Sequence, residues 1–132
     1  MFEHLTKKGA VMADEKLLIL LEQGAPAWNR WRADNPDQVS PDLRGANLSG
    51  YDLTAINFQG ADLENADLSN TKLCNANLED ATLHNTSLRG ADVTGAIMSK
   101  SVLGADFWET KGLSKETKTH IKHLLDLSWK SA

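Results

Sequence analysis

His120 and His123, three residues apart, are the side chains in this chain best spaced to hold a metal ion together. They fall on a stretch with helical periodicity. Two imidazoles alone fall short of the three or four ligands of a zinc-type site. An exposed or end-covering role is expected of them, and no metal. The other histidines, His4 and His84, stand apart. Cys74 is the only cysteine, so no intramolecular disulfide framework exists. Nucleophile elbows, phosphate-binding loops, CxxC pairs and dinucleotide fingerprints are absent. Asn47-Leu48-Ser49 and Asn85-Thr86-Ser87 match the glycosylation acceptor pattern, as chance products of an Asn-rich stretch. The expectation is a non-enzymatic protein with no catalytic residue, no cofactor and no metal site.

Any functional surface must be positioned by the middle of the chain, where a large apolar residue recurs every fifth position. The centres are Leu43, Leu48, Leu53, Phe58, Leu63, Leu68, Leu73, Leu78, Leu83, Leu88, Val93, Met98 and Leu103. A helix would repeat its apolar face at about 3.6 residues and a strand at 2. A period of five therefore needs a backbone that turns in every unit. Two residues before most centres stands a small side chain: Ala46, Ala61, Ala66, Ala76, Ala81, Ala91 and Ala96, with Thr71, Thr86 and Ser101 in the same role. Two residues after most centres stands Gly or Asn, as in Gly45, Gly50, Gly60, Asn65, Asn70, Asn75, Asn85, Gly90 and Gly95. These are the residues that best tolerate turn dihedrals. Each unit thus has a small inward residue, a large inward residue and three outward ones. Cys74 takes an outward position and is expected to be an ordinary exposed thiol.

The run Gly60-Ala61-Asp62-Leu63-Glu64-Asn65-Ala66-Asp67-Leu68-Ser69 resembles the pentapeptide-repeat proteins, whose motif is A-[D/N]-L-x-x. The resemblance covers about half the chain. It implies an all-β solenoid: a right-handed quadrilateral β-helix with four units to a coil, here about three coils. A solenoid repeat buries its apolar side only against its neighbours. Two departures are informative. Tyr51 and Ile56 stand where the motif has Ala, which predicts a widened or covered end in the first coil. After Leu103 the next large residue, Phe107, comes after four positions, which predicts that the regular coil ends between Leu103 and Phe107.

The expected organisation is a helical leader over 1–39, the β-helix over 40–107, and a linker with a terminal helix over 108–132. Helices are predicted at about 13–23, with Gly24 just past the end, and at about 26–33, with Pro26 in the first turn. Trp28, Trp31 and Arg32 lie on one side of the second, and the two tryptophans would cover the open first coil. This leader is similar to segments preceding repeats in bacterial, often cyanobacterial, members of the family. Ser114 should cap a helix over 115–129, whose apolar side is Ile121, Leu124, Leu125 and Trp129.

The 132 residues carry a net charge of −4, unevenly spread. Residues 40–109 hold ten acidic and four basic side chains; residues 110–132 hold two and five. The longest apolar run, Leu17 to Leu21, is far below the ~20 residues of a membrane span. No signal-peptide pattern is present, so a cytoplasmic location is expected. Columns twenty residues apart, such as Asp52, Lys72, Asp92 and Arg44, Glu64, His84, read as solvated ladders of mixed character.

The function expected is a structural or protein-interaction module with an unidentified protein partner, no direct nucleic-acid binding and no membrane. The resemblance offers an alternative: some members mimic duplex DNA and act on DNA gyrase or topoisomerase. Three and a quarter coils at ~4.8 Å would span roughly 16 Å, about five base pairs, which is short for a mimic. The expected contact surface lies at the C-terminal end. There Ile97 and Val102 replace the polar outward residues of earlier coils, near Ile121, Leu124 and Leu125. The terminal helix would either fold back on its own coil or join two copies as a homodimer.

Overall fold

A computed structural model of the chain describes residues 13–98 and 104–122. Two helices lead. Helix α1 is Glu15–Glu22, and the Asp14 side chain accepts a hydrogen bond from the Lys16 amide at its N-cap. Asp14 thus lies outside the helix, where a carboxylate best satisfies the unpaired amides. Helix α2 is Ala25–Asp34, with Pro26 in its first turn. Gly24, at φ 101°, directly follows Gln23, the C-cap of α1, and is itself the N-cap of α2. The short connection makes the two helices a hairpin, and Leu17, Leu18, Leu21, Ala25 and Trp28 are its buried residues.

From Pro41 the chain winds into a stack. Among the described residues there is no continuous strand, only isolated parallel bridges arranged in four columns. These run Asp42, Asp62, Thr82; Asn47, Asp67, Ser87, Asp106; Asp52, Lys72, Asp92, Lys111; and Asn57, Asn77, Ile97. Partners are twenty residues apart through Ile97, so four five-residue units complete one coil. Leu43, Leu48, Leu53, Phe58, Leu63, Leu68, Leu73, Leu78, Leu83, Leu88, Val93 and Met98 are all buried, and Leu103 lies outside the described residues. Ala46, Ala61, Ala66, Ala76, Ala81 and Ala91 are buried beside them. The two threonines that replace Ala are buried too. Their hydroxyls donate to carbonyls at 2.7 Å, Thr71 to Leu68 and Thr86 to Leu63.

The reason for the fivefold period is the corner. Every described residue two positions after a centre up to Val93 has positive φ, from Gly45 at 70° to Gly95 at 74°. The next residue's amide then donates back to the centre's carbonyl, as Ala46 does to Leu43 and Ala66 does to Leu63. Asp or Asn one position before the centre closes the same corner from outside. Asp42, Asn47, Asp52, Asn57, Asp62, Asp67, Asn77, Asp92 and Asp106 each accept from the amide two residues on. These polar residues were legible as outward ladders. Their role in holding the corners is what the structure adds.

The ladder does not stop at Phe107. After the segment outside the description, Ser87 bridges Asp106 and Asp92 bridges Lys111, partners nineteen apart. The stretch expected to be a free linker, 108–112, thus begins inside the stack: the Gly90 amide donates to Trp108 and the Val93 amide to Lys111. The shorter step seen in the sequence shifts the register by one residue instead of ending the coil. Residues 115–122 form helix α3, and the Ser114 hydroxyl accepts from the Thr117 amide at 3.1 Å. The remainder of the expected terminal helix lies outside the described residues.

Candidate interaction surface

The two ends of the stack differ. In the interior, each face offers the coil before it three groups from the residues flanking a centre. On the Asn77 face these are the Asn77 amide, which donates to Ile56, the Asn77 carbonyl, which accepts from Phe58, and the Glu79 carbonyl, which accepts from Gly60. The equivalent groups one coil earlier, at Asn57 and Gln59, have no coil to meet. Helix α2 meets them with side chains. The Asn57 amide donates to Asn29 Oδ1 at 2.7 Å. The Asn57 carbonyl accepts from Trp28 Nε1 at 2.7 Å and from Arg32 at 3.2 Å. The Gln59 carbonyl accepts from the other Arg32 amino group at 2.9 Å, and Ala55 accepts from Asn29 Nδ2 at 3.0 Å. Desolvation against this edge lowers the Arg32 pKa from its ordinary value.

Trp28 and Trp31 were read from the sequence as the covering residues. Trp28 is 0% exposed, 5.4 Å edge-on from the Phe58 ring and 5.3 Å from Trp31, which is half-buried. Asn29 went unread, and Arg32 was placed only on the side of the two tryptophans, because a helical Asn and Arg look like solvated surface. Their spacing to Trp28 on one helix was the available signal. Ile56 is buried and Tyr51 packs against the core. Burial pushes the Tyr51 phenol above its ordinary value, with the charge of Glu22 on α1 adding to it.

At the other end, Ile97 is 51% exposed although it bridges Asn77. Ala96, Ile97 and Met98 form one wall of a cleft of about 390 Å³, and Ser114, Glu116, Thr117 and His120 form the other. Helix α3 lies against its own stack, with Leu113 and Ile121 packed on the core and Thr117 buried. Val102, Leu124, Leu125 and His123 lie outside the described residues, so of the expected surface the structure describes only Ile97, on the cleft, and Ile121, packed on the core. Trp108, 65% exposed, is a second outward apolar residue and stands in the column of Ser49, Ser69 and Arg89.

The side faces are occupied with themselves. Arg44 folds onto Asp42 at 2.8 Å, with Asp62 farther at 3.8 Å, instead of reaching along its column to Glu64. Its hydrogen bond holds the Asp42 carboxyl below the usual range. Arg89 pairs with Asp106 at 2.6 Å with the same effect on that carboxyl. Cys74 is half-buried, not freely exposed as expected. Desolvation raises its thiol pKa, and the Asp92 carboxylate one coil on adds to this. No group of three or more metal-ligating side chains occurs among the described residues. No described helix is long and apolar enough to cross a membrane.

The family profile described as pentapeptide repeats, eight copies long, matches residues 42–80 and 61–99. Residues 42–99 thus carry the repeats of the pentapeptide-repeat family. Among solved structures it is similar to a pentapeptide-repeat protein of the Arabidopsis thaliana thylakoid lumen, at 27% identity and a TM-score of 0.46, over 60% of this chain and 59% of that one. It is also similar to a pentapeptide-repeat protein of the cyanobacterium Cyanothece 51142, at 34% identity and a TM-score of 0.23, over 56% of this chain and 57% of the other. It thus spans less than two thirds of either. No curated protein matches the chain.

Proposed function

We infer that this chain is a non-enzymatic protein-interaction module, built on a right-handed quadrilateral β-helix, that docks a protein partner at its C-terminal end. The twenty-residue columns and the inward centres support the four-sided coil. The observation that carries the docking site is Ile97. It is a large aliphatic, half exposed, at a position filled by Asn57 and Asn77 in its own column, and it opens onto the cleft beside α3. An exposed apolar residue rimmed by polar ones is the usual mark of a contact surface. The mimic of DNA is the weaker reading. The Asp residues that make the body acidic are engaged at the corners, and the Asp52 column alternates in sign through Lys72 and Lys111.

The test is affinity capture with the full chain and with Ile97→Lys, both checked for folding by circular dichroism. The reading expects one or more proteins retained by the parent and lost by the variant, and no inhibition of gyrase supercoiling by the parent. Equal retention by both would place docking elsewhere. Gyrase inhibition that disappears on neutralising Asp62, Asp67 and Asp92 would favour the mimic. A parent that self-associates and an Ile97→Lys variant that does not would make the partner a second copy.

A further inference from the structure

The covering of the first coil has a consequence separate from the C-terminal docking reading. The edge at Ala55–Gln59 is a complete pairing edge. Its amide and carbonyls point away from the stack in the pattern that Asn77 and Glu79 use to bind a neighbouring coil. What meets it is a set of three side chains on one helix, bonded to backbone atoms only. Those atoms are present whatever the sequence of the coil, so another backbone can take the place of α2.

We propose that α2 is a self-blocking plug, and that its release opens the Ala55–Gln59 edge to pairing with the same edge of a second copy. The second copy follows from geometry. Asn57 turns both its amide and its carbonyl outward, which is the pair that one residue exchanges with its opposite in an antiparallel ladder. Two such edges can therefore meet about a two-fold axis, Asn57 to Asn57. The C-terminal edge is a poorer match, because α3 covers the core there through Leu113, Thr117 and Ile121. The segment joining α2 to the coil can serve as the hinge. Residues 36–40 are exposed, with Val39 at 71%, whereas Pro41 is buried where the coil begins. Unprotected edges of this kind are the established route to strand-to-strand association.

Two measurements test this on the full chain. In native-state hydrogen exchange of the parent, the Asn57 amide, held by a side chain, should exchange through a local opening, at least about tenfold faster than the Asn77 amide inside the stack. The double variant Asn29→Ala with Arg32→Ala keeps Trp28 but removes four of the five bonds that hold α2 on the edge. This variant should keep its circular dichroism and form a concentration-dependent dimer by sedimentation, while the parent does not through this edge. Equal protection of Asn57 and Asn77 would mean that α2 leaves only on global unfolding, and the plug would be refuted. A folded variant that shows no association at any concentration would refute it as well. If the variant does not fold, the exchange comparison on the parent decides alone.

Discussion

The carboxamide of Asn29 takes the place of a missing backbone. Its Oδ1 accepts from the Asn57 amide at 2.7 Å, as the Ile56 carbonyl does for Asn77 one coil on, while its Nδ2 donates to Ala55 at 3.0 Å. A side chain on a helix thus terminates a column of bridges that would otherwise end in unpaired groups. Losing a partner at a semi-buried edge costs more than the net worth of the bond, because the group left behind is only partly hydrated. Asn29→Ala should therefore destabilise the chain by about 1–2 kcal/mol. Asn29→Asp keeps the acceptor, loses the donor to Ala55, and should fall between. Denaturant melts of the three chains check the order.

Leu68 is fully buried, whereas Ser69 next to it faces out and bonds Asp67 and Ser49. Leu68→Ala should cost about 2–5 kcal/mol by leaving a cavity in a stack that cannot close over it. Leu68→Asp places a carboxylate with no partner in the core and should unfold the coils. Ser69→Ala should change stability by less than about 1 kcal/mol, the worth of a solvated hydroxyl bond. Thermal melts in which Leu68→Asp and Ser69→Ala behaved alike would place the register one or more residues off.

The core was legible because burial imposes its period directly on residue type. Leu63, Leu68 and Ala66 are apolar because they face inward, and a period of five admits no helix or plain strand. The corners were legible as Gly and Asn for the same kind of reason, a dihedral constraint. The roles of Asp67 and Asp92 were hidden, since an outward carboxylate looks the same whether it meets water or an amide two residues on. The end of the stack was misplaced because one missing residue reads as a break. In space it is absorbed at a corner, so Lys111 still reaches Asp92. At the candidate site, Ile97 stood out by type, whereas Asn29 and Arg32 bond backbone atoms of the coil, so only their spacing to Trp28 marked them.

Ala55 stands at a corner with φ 62°, where its neighbours have Gly or Asn. The left-handed conformation costs a Cβ-bearing residue about 1–2 kcal/mol, and Gly is free of that cost. Ala55→Gly should thus stabilise the chain by about 1 kcal/mol, raising the melting temperature by a few degrees. The opposite change at Gly95 should be harmful twice over. Gly95 has φ 74°, and a Cβ there would run into the Asn75 side-chain amide one coil below. Gly95→Ala should cost at least about 2 kcal/mol. Scanning calorimetry of both variants reads the two signs together. An Ala55→Gly chain less stable than the parent would mean that the corner is set by contacts, not by its dihedral.

Acid should weaken the stack before any other mild change of solvent. Asp42 is held below the usual carboxylate range chiefly by its side-chain bond to Arg44, and Asp106 chiefly by Arg89. Asp52 and Asp92 are lowered chiefly by the hydroxyls of Thr54 and Thr94. Each of these groups has a folded pKa below its unfolded one, so the unfolded chain binds more protons in that interval. The stabilisation they give is complete above the ordinary Asp value of about 3.9 and is lost as pH falls through the depressed folded values. Protonation would leave each corner amide with a weaker acceptor, so the loss acts on the turns themselves. Melting temperatures should be flat from about pH 6 down to about pH 5 and fall steadily below about pH 4. Arg44→Ala removes the main cause of the Asp42 shift. That variant should be the less stable chain at pH 6 and show a shallower fall in acid. Parallel curves for the two chains would show that Arg44 contributes nothing to the Asp42 corner.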